Sequence, residues 1–312
     1  MRLRLFTLLV FLLCLAAYAN AQPAADSPTP AFTPVPELTS GFRLLYIQKF
    51  REARAQFESW ESQHPEEPFG QVAIAASYLF DEFYRQGVLT SDFFLNEKRF
   101  LHGIDGEPDP QMMEGFDTAI RNGRQLANQR LKQKPEDPEA LYALTLAAGM
   151  ESDADMILRK HNLEALRELK EANAHAKVLL AERPDAKDVY VALGSANYII
   201  GSLSLGFRAM LWFGGVHGDK KLGMTQVAKT VEGGRYLQPF AKIMLALAAR
   251  REKQNALAQK LLHELTEEFP ESALYPAEYA KAMGRPIPAT MHPQGFFLLK
   301  TREGHPVSFR DL

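Results

Sequence analysis

Apolar positions recur along the chain at spacings of three and four, the period of a helix that buries one face. A second regularity is laid over the first. Four times a proline follows a helical stretch with small or apolar residues twelve and eight positions before it: Ala53, Phe57, Pro65; Gly123, Ala127, Pro135; Ala172, Ala176, Pro184; Ala258, Leu262, Pro270. A small residue lets a neighbouring helix approach closely, and proline ends a helix because it lacks an N–H and its ring clashes with the preceding turn. Nine positions past each proline a large apolar residue precedes a smaller one: Ile74 and Ala75, Leu144 and Thr145, Leu193 and Gly194, Tyr279 and Ala280. The register therefore predicts both helices of four hairpins. It places helices near 38–48, 50–63, 68–84, 111–133, 138–152, 160–182 and 187–200.

These residues resemble the tetratricopeptide repeat family. The likeness is closest at Gly41, Ala53, Phe57 and Pro65 in the first unit, and at Leu245, Ala246, Ala258 and Leu262 before Pro270. The resemblance implies an all-α fold over residues 38–285, an α-α superhelix of stacked hairpins curved around an open concave groove. Its packing positions would be Gly41, Ala53, Phe57, Pro65, Ala172, Pro184, Gly194, Ala258 and Pro270. The prolines lie 70, 49 and 86 residues apart, which are not multiples of the family's ~34-residue period. The central units must therefore carry longer helices or inserts, and Lys160 stands in the third unit where Gly41 stands in the first. A weaker resemblance rests on the segment Gly214 to Gly223, GGVHGDKKLG. It is to the helical-repeat subunits that accompany periplasmic TRAP-type transporters, and it implies capture of a small apolar molecule among the central helices.

One stretch breaks the repeat. Between Gln86 and Gln111, Ser91 and Asp92 offer a cap for a short helix reaching Phe100, and Gly103, Gly106, Pro108 and Pro110 make a loop. Its aromatics Phe93, Phe94 and Phe100 fall outside the repeat frame, which makes them candidates for binding a partner; the alternative is a lid packed on its own hairpin. The apolar run Ala196 to Gly215 contains Arg208, Gly201, Ser202, Ser204 and Gly206, which argue against a membrane span and for a bend between two buried helices. Gly214, Gly215 and Gly218 then supply turn geometry, and Asp219 is expected to cap the next helix.

The ends read differently. Arg2 and Arg4, the apolar run Leu5 to Tyr18 and the small residues of Ala19-Asn20-Ala21 form a signal peptide over 1–21, with a mature chain from Gln22 exported to the periplasm or secreted. Bulky Leu13 before Cys14 disfavours lipidation there. Residues 22–37, with Pro23, Pro28, Pro30, Pro34 and Pro36, have the composition of an extended linker. In the tail, 286–312, Gly295 to Leu299 and Val307 to Phe309 flank a polar turn at Arg302 to His305, which predicts a short hairpin or an extended strap.

Composition narrows the function classes. Cys14 is the single cysteine, so the mature chain has neither a disulfide nor a thiol nucleophile. The formal net charge of −2, with no long basic stretch, argues against nucleic acid as a partner. The eight histidines never pair at metal-ligand spacing. No motif suggests a cofactor or catalysis, and the acidic pairs Glu66-Glu67 and Glu267-Glu268 fall at helix junctions. The expectation is a non-catalytic envelope scaffold binding a protein or peptide, with capture of a small apolar ligand as the alternative. The two differ in shape, since a peptide needs a shallow polar groove and a small apolar molecule a closed cavity.

Overall fold

The computed structural model of the protein describes residues 33–213, 215–287, 299–300 and 306–307. The signal-like segment, most of the linker and most of the tail lie outside the described residues. The described residues from Pro34 onward belong to one compact unit.

The unit is built of packed helix pairs. In chain order these are α1 (Pro36–Tyr46), α2 (Phe50–Gln63), α3 (Pro68–Arg85), α4 (Ser91–Leu95), α5 (Glu97–His102), α6 (Pro110–Gln133) and α7 (Pro138–Ala154). A π-helical turn, Asp155–Arg159, extends α7. There follow α8 (Asn162–Glu182), α9 (Val189–Ser202), α10 (Leu205–Phe213), α11 (Lys220–Gly233), α12 (Gln238–Arg251), α13 (Asn255–Glu268) and α14 (Leu274–Ala282). Beyond them β1 (Leu299–Lys300) pairs antiparallel with β2 (Pro306–Val307), in the register Leu299 with Val307.

The four prolines act as read. Helices α2, α6, α8 and α13 end at Gln63, Gln133, Glu182 and Glu268, each two residues before its proline. The small and apolar positions before them face inward: Ala53, Phe57, Ala127, Ala176 and Ala258 are fully buried, and Ala172 and Leu262 nearly so. Gly41 is required by packing, because a Cβ there would sit 2.3 Å from the Phe57 ring. Gly194 lets α9 and α11 cross backbone to backbone, since its Cβ would lie 2.7 Å from the Gly223 carbonyl oxygen. Pro65, Pro184 and Pro270 are exposed and serve only to stop their helices. Three helices, α6, α7 and α11, start on Asp caps: Asp109 accepts from the N–H groups of Gln111 and Met112, Asp137 from Ala140, and Asp219, as expected, from Leu222. Helices α1, α3, α6, α7 and α12 also have a proline in the first turn, where no N–H is needed. The insert carries two short helices rather than one reaching Phe100: α4 follows Thr90 with no side-chain bond at its start, so Ser91 and Asp92 do not cap it, and α5 is capped by Asn96, which accepts from the Arg99 N–H at 3.1 Å.

Two expectations need correction. The open groove is absent from the described residues, because the last helices return to the first. Tyr236 stacks on Phe42 at 4.9 Å, its hydroxyl accepts from the Val35 N–H at 2.8 Å, and its carbonyl accepts from the Tyr46 hydroxyl. Arg43 reaches both carboxylate oxygens of Glu271 at 3.0 Å, and Ser272 donates to Gln48. Beneath this seam Asp188, buried, accepts from the Tyr142 hydroxyl at 2.7 Å and from the Tyr236 and Leu237 N–H groups. Local patterning carries no sign of such contacts, since each joins residues far apart in sequence. The second correction concerns α10. Leu205, Phe207, Trp212 and Phe213 are exposed, so the run after Ser202 does not form a second buried helix.

Candidate functional site

Closure of the helix pairs leaves a largely enclosed apolar cavity of about 260 Å³. Its walls come from every part of the unit: Phe42 and Leu45 of α1, Leu79 and Phe80 of α3, Leu146 and Met150 of α7, Ile199 of α9, Phe240, Met244 and Leu247 of α12, and Tyr275 of α14. The volume lies just under the ~300–1,000 Å³ usual for small-molecule pockets and above the ~150 Å³ that admits a benzene ring. A peptide does not fit in such a space. Between α2, α3 and α6 there is also a larger surface recess of about 470 Å³, lined by Glu58, Glu61, Gln71 and Glu114. It is wide open to solvent and lacks the apolar enclosure that binds a small molecule.

The insert supplies one wall of the cavity. Phe93, Phe94 and Phe100 form a cluster with ring centroids 5.3 to 6.3 Å apart. Phe93 and Phe100 are buried, and Phe94 and Phe100 line the cavity. These three aromatics thus turn inward, as a lid would, and Phe93 presents no surface to an external partner. The lid is tied across the unit: Arg250 donates to Ser91 at 2.6 Å, Lys281 pairs with Asp92 at 2.7 Å, and the Ile104 N–H bonds the Ile157 carbonyl at 3.0 Å. Gly103, at φ +77°, has no room for a Cβ beside that same carbonyl.

Polar groups in the wall are few. On α7, Gly149 and Asp153 are one turn apart and share a face. A Cβ built on Gly149 would meet nothing within 4 Å, so the helix presents bare backbone to the empty space. Asp153 lines the cavity with an accessible side chain, and the protein packed around it pushes its carboxyl up to about 7. Ser195, on α9, also lines the cavity, and its hydroxyl has no hydrogen-bond partner. At another part of the wall Glu278 lies 3.8 Å from Arg250 and 3.0 Å from Lys281.

Asp153 and Gly149 belong to no motif in the sequence, and an acid within a helical pattern usually marks a solvated face. A signal was present all the same. Helix α7 is apolar over most of its circumference, so an acid in its last turn has little water-facing surface to occupy.

The remaining charges hold the scaffold together. Arg124 on α6 pairs with Glu151, Glu168 and Glu171 on the two following helices. Glu67 and Glu268, from the two junction pairs, bind Arg130 at 2.6 Å and Lys242 at 2.9 Å. Among the described residues no group of three or more His, Cys, Asp or Glu could hold a metal ion, and no helix is long and apolar enough to cross a membrane. No protein-family model and no curated protein matches the chain.

Proposed function

We propose that this protein is a non-catalytic binding protein that encloses a small apolar molecule within its helical repeats. The observation that carries the reading is the largely enclosed apolar cavity, walled by helices from both ends of the unit and by the aromatic insert. It favours the alternative drawn from the weaker, transporter-subunit resemblance over a peptide in an open groove. Burial of apolar surface supplies the affinity, at roughly 25 cal/mol per Å² removed from water. A signal peptide over 1–21 fits a role in the envelope, where such a protein would hold or hand over its ligand.

A protein partner remains a second reading, supported by a different surface. Exposed Leu205, Phe207, Trp212 and Phe213 on α10 give an apolar face of the kind found at interfaces, so a scaffold or adaptor role would use this helix rather than the interior.

Thermal melts with and without 1-octanol test the first reading. A ligand that binds only the folded state raises its stability by RT ln(1 + [L]/Kd), about 2.7 kcal/mol at a hundredfold excess over Kd. An upward, saturating shift in melting temperature is expected. An unchanged or lowered melting temperature would remove the reading.

A further inference from the structure

The cavity contains one acid that the scaffold does not use. Asp153 takes part in no hydrogen bond or ion pair with the rest of the described protein, whereas the neighbouring acids Glu151 and Asp155 are held by Arg124 and Arg159. An unpaired carboxylate facing apolar walls is costly, since burial removes its hydration and supplies nothing in return. Yet the position could be filled without strain by an apolar residue, as Leu146 and Met150 on the same helix show. Among known uses of a partnerless acid aimed into a binding space, recognition of a ligand's polar end accounts for both its placement and its lack of a protein partner.

We propose that Asp153 is the recognition group for the ligand's head, and that the ligand is an apolar molecule carrying a protonated amine. This rests on the binding reading above and specifies its ligand class. An ammonium group gives the carboxylate the opposite charge and the N–H donors that it lacks, in a charge-assisted hydrogen bond. A hydroxyl supplies a donor but no charge. A ligand carboxylate adds a like charge and is repelled.

The charged surroundings leave Asp153 to act alone. The other ionisable side chains in the wall are Tyr46, Arg250, Tyr275 and Glu278. Arg250 is engaged with Ser91 and Glu278, and neither it nor any other charge moves the titration of Asp153, which burial alone raises. On the helices packed against α7, Arg124 is held by its three glutamates and His175 lies 3.5 Å from Glu171, and on the π-helical turn that extends α7, Arg159 is held by Asp117 and Asp155. The amine's advantage should therefore follow ionisation of this one carboxyl.

Calorimetric titration of the full protein with octylamine, 1-octanol and octanoate separates the outcomes. At pH 8 octylamine is expected to bind about tenfold or more tightly than 1-octanol, the ratio that corresponds to a charge-assisted hydrogen bond of ~1.5 kcal/mol or more, with octanoate weakest. The preference for octylamine should shrink at pH 5, where Asp153 holds its proton, and vanish in Asp153→Asn. The pH arm uses wild-type protein, so it decides the matter even if the variant folds poorly. Equal binding of octylamine and 1-octanol, a preference that survives Asp153→Asn, or tighter binding of octanoate would overturn the proposal while leaving the cavity as a binding site. If none of the three binds, the cavity reading falls, and this one with it.

Discussion

Gly149 and Asp153 pull the cavity wall in opposite directions. Glycine within a helix costs roughly 0.5–1 kcal/mol relative to alanine, and here no contact demands it, because a side chain would enter empty space. Gly149→Leu is accordingly expected to raise the melting temperature while it narrows the cavity; a fall would mean that the space is smaller or differently walled. Asp153 gives the folded state a pH dependence whose sign follows from its environment. Burial raises its carboxyl to about 7, above the ~4 of an unfolded chain, so the folded state binds the proton more tightly. Its contribution is therefore most favourable below pH ~4, declines as pH rises toward 7 and then levels off. Melting temperatures of wild type and Asp153→Asn compared at pH 5 and pH 7.5 should show the variant gaining on wild type at the higher pH. A constant difference would place the carboxyl in water.

At the level of elements, the helix pairs were legible because their determinants are local. Each of Pro65, Pro135, Pro184 and Pro270 stops its helix at the same offset, and each preceding small residue marks a close contact within reach of its own hairpin. The insert was only half legible. Sequence showed that Phe93, Phe94 and Phe100 lie outside the repeat frame but could not say which way they point, since their neighbours on α12 and around Ile157 lie far away in the chain. Phe93→Ala decides between the two directions. With its side chain buried, the substitution is expected to cost on the order of 3–5 kcal/mol in denaturant unfolding. A change under ~0.5 kcal/mol, usual for exposed positions, would put the ring outside. The π-helical turn Asp155–Arg159 was not foreseen either. It follows the last turn of α7, ends in a left-handed Lys160, and brings the Ile157 carbonyl to the lid.

For the whole molecule, the contacts that close the unit also enclose the cavity, and sequence patterning does not reveal them. Nothing in the repeat distinguishes an open superhelix from one whose ends meet, because the seam consists of single pairings such as Tyr236 with Phe42 and Val35, and Arg43 with Glu271. The ion pair is largely exposed and contributes little; the buried aromatic contact should contribute more. Tyr236→Ala is expected to speed amide hydrogen exchange in α1 while leaving α8 protected, and equal protection in α1 would mean that the seam does not hold the unit closed.

The central claim is that the enclosed space takes a small apolar molecule. Its most direct test is calorimetric titration of 1-octanol into wild type and Gly149→Leu over several temperatures. The account predicts saturable one-to-one binding with a negative heat-capacity change in wild type, and loss of that binding in a variant that melts no lower. Absence of saturable binding to wild type, or the same affinity in both proteins, would contradict it.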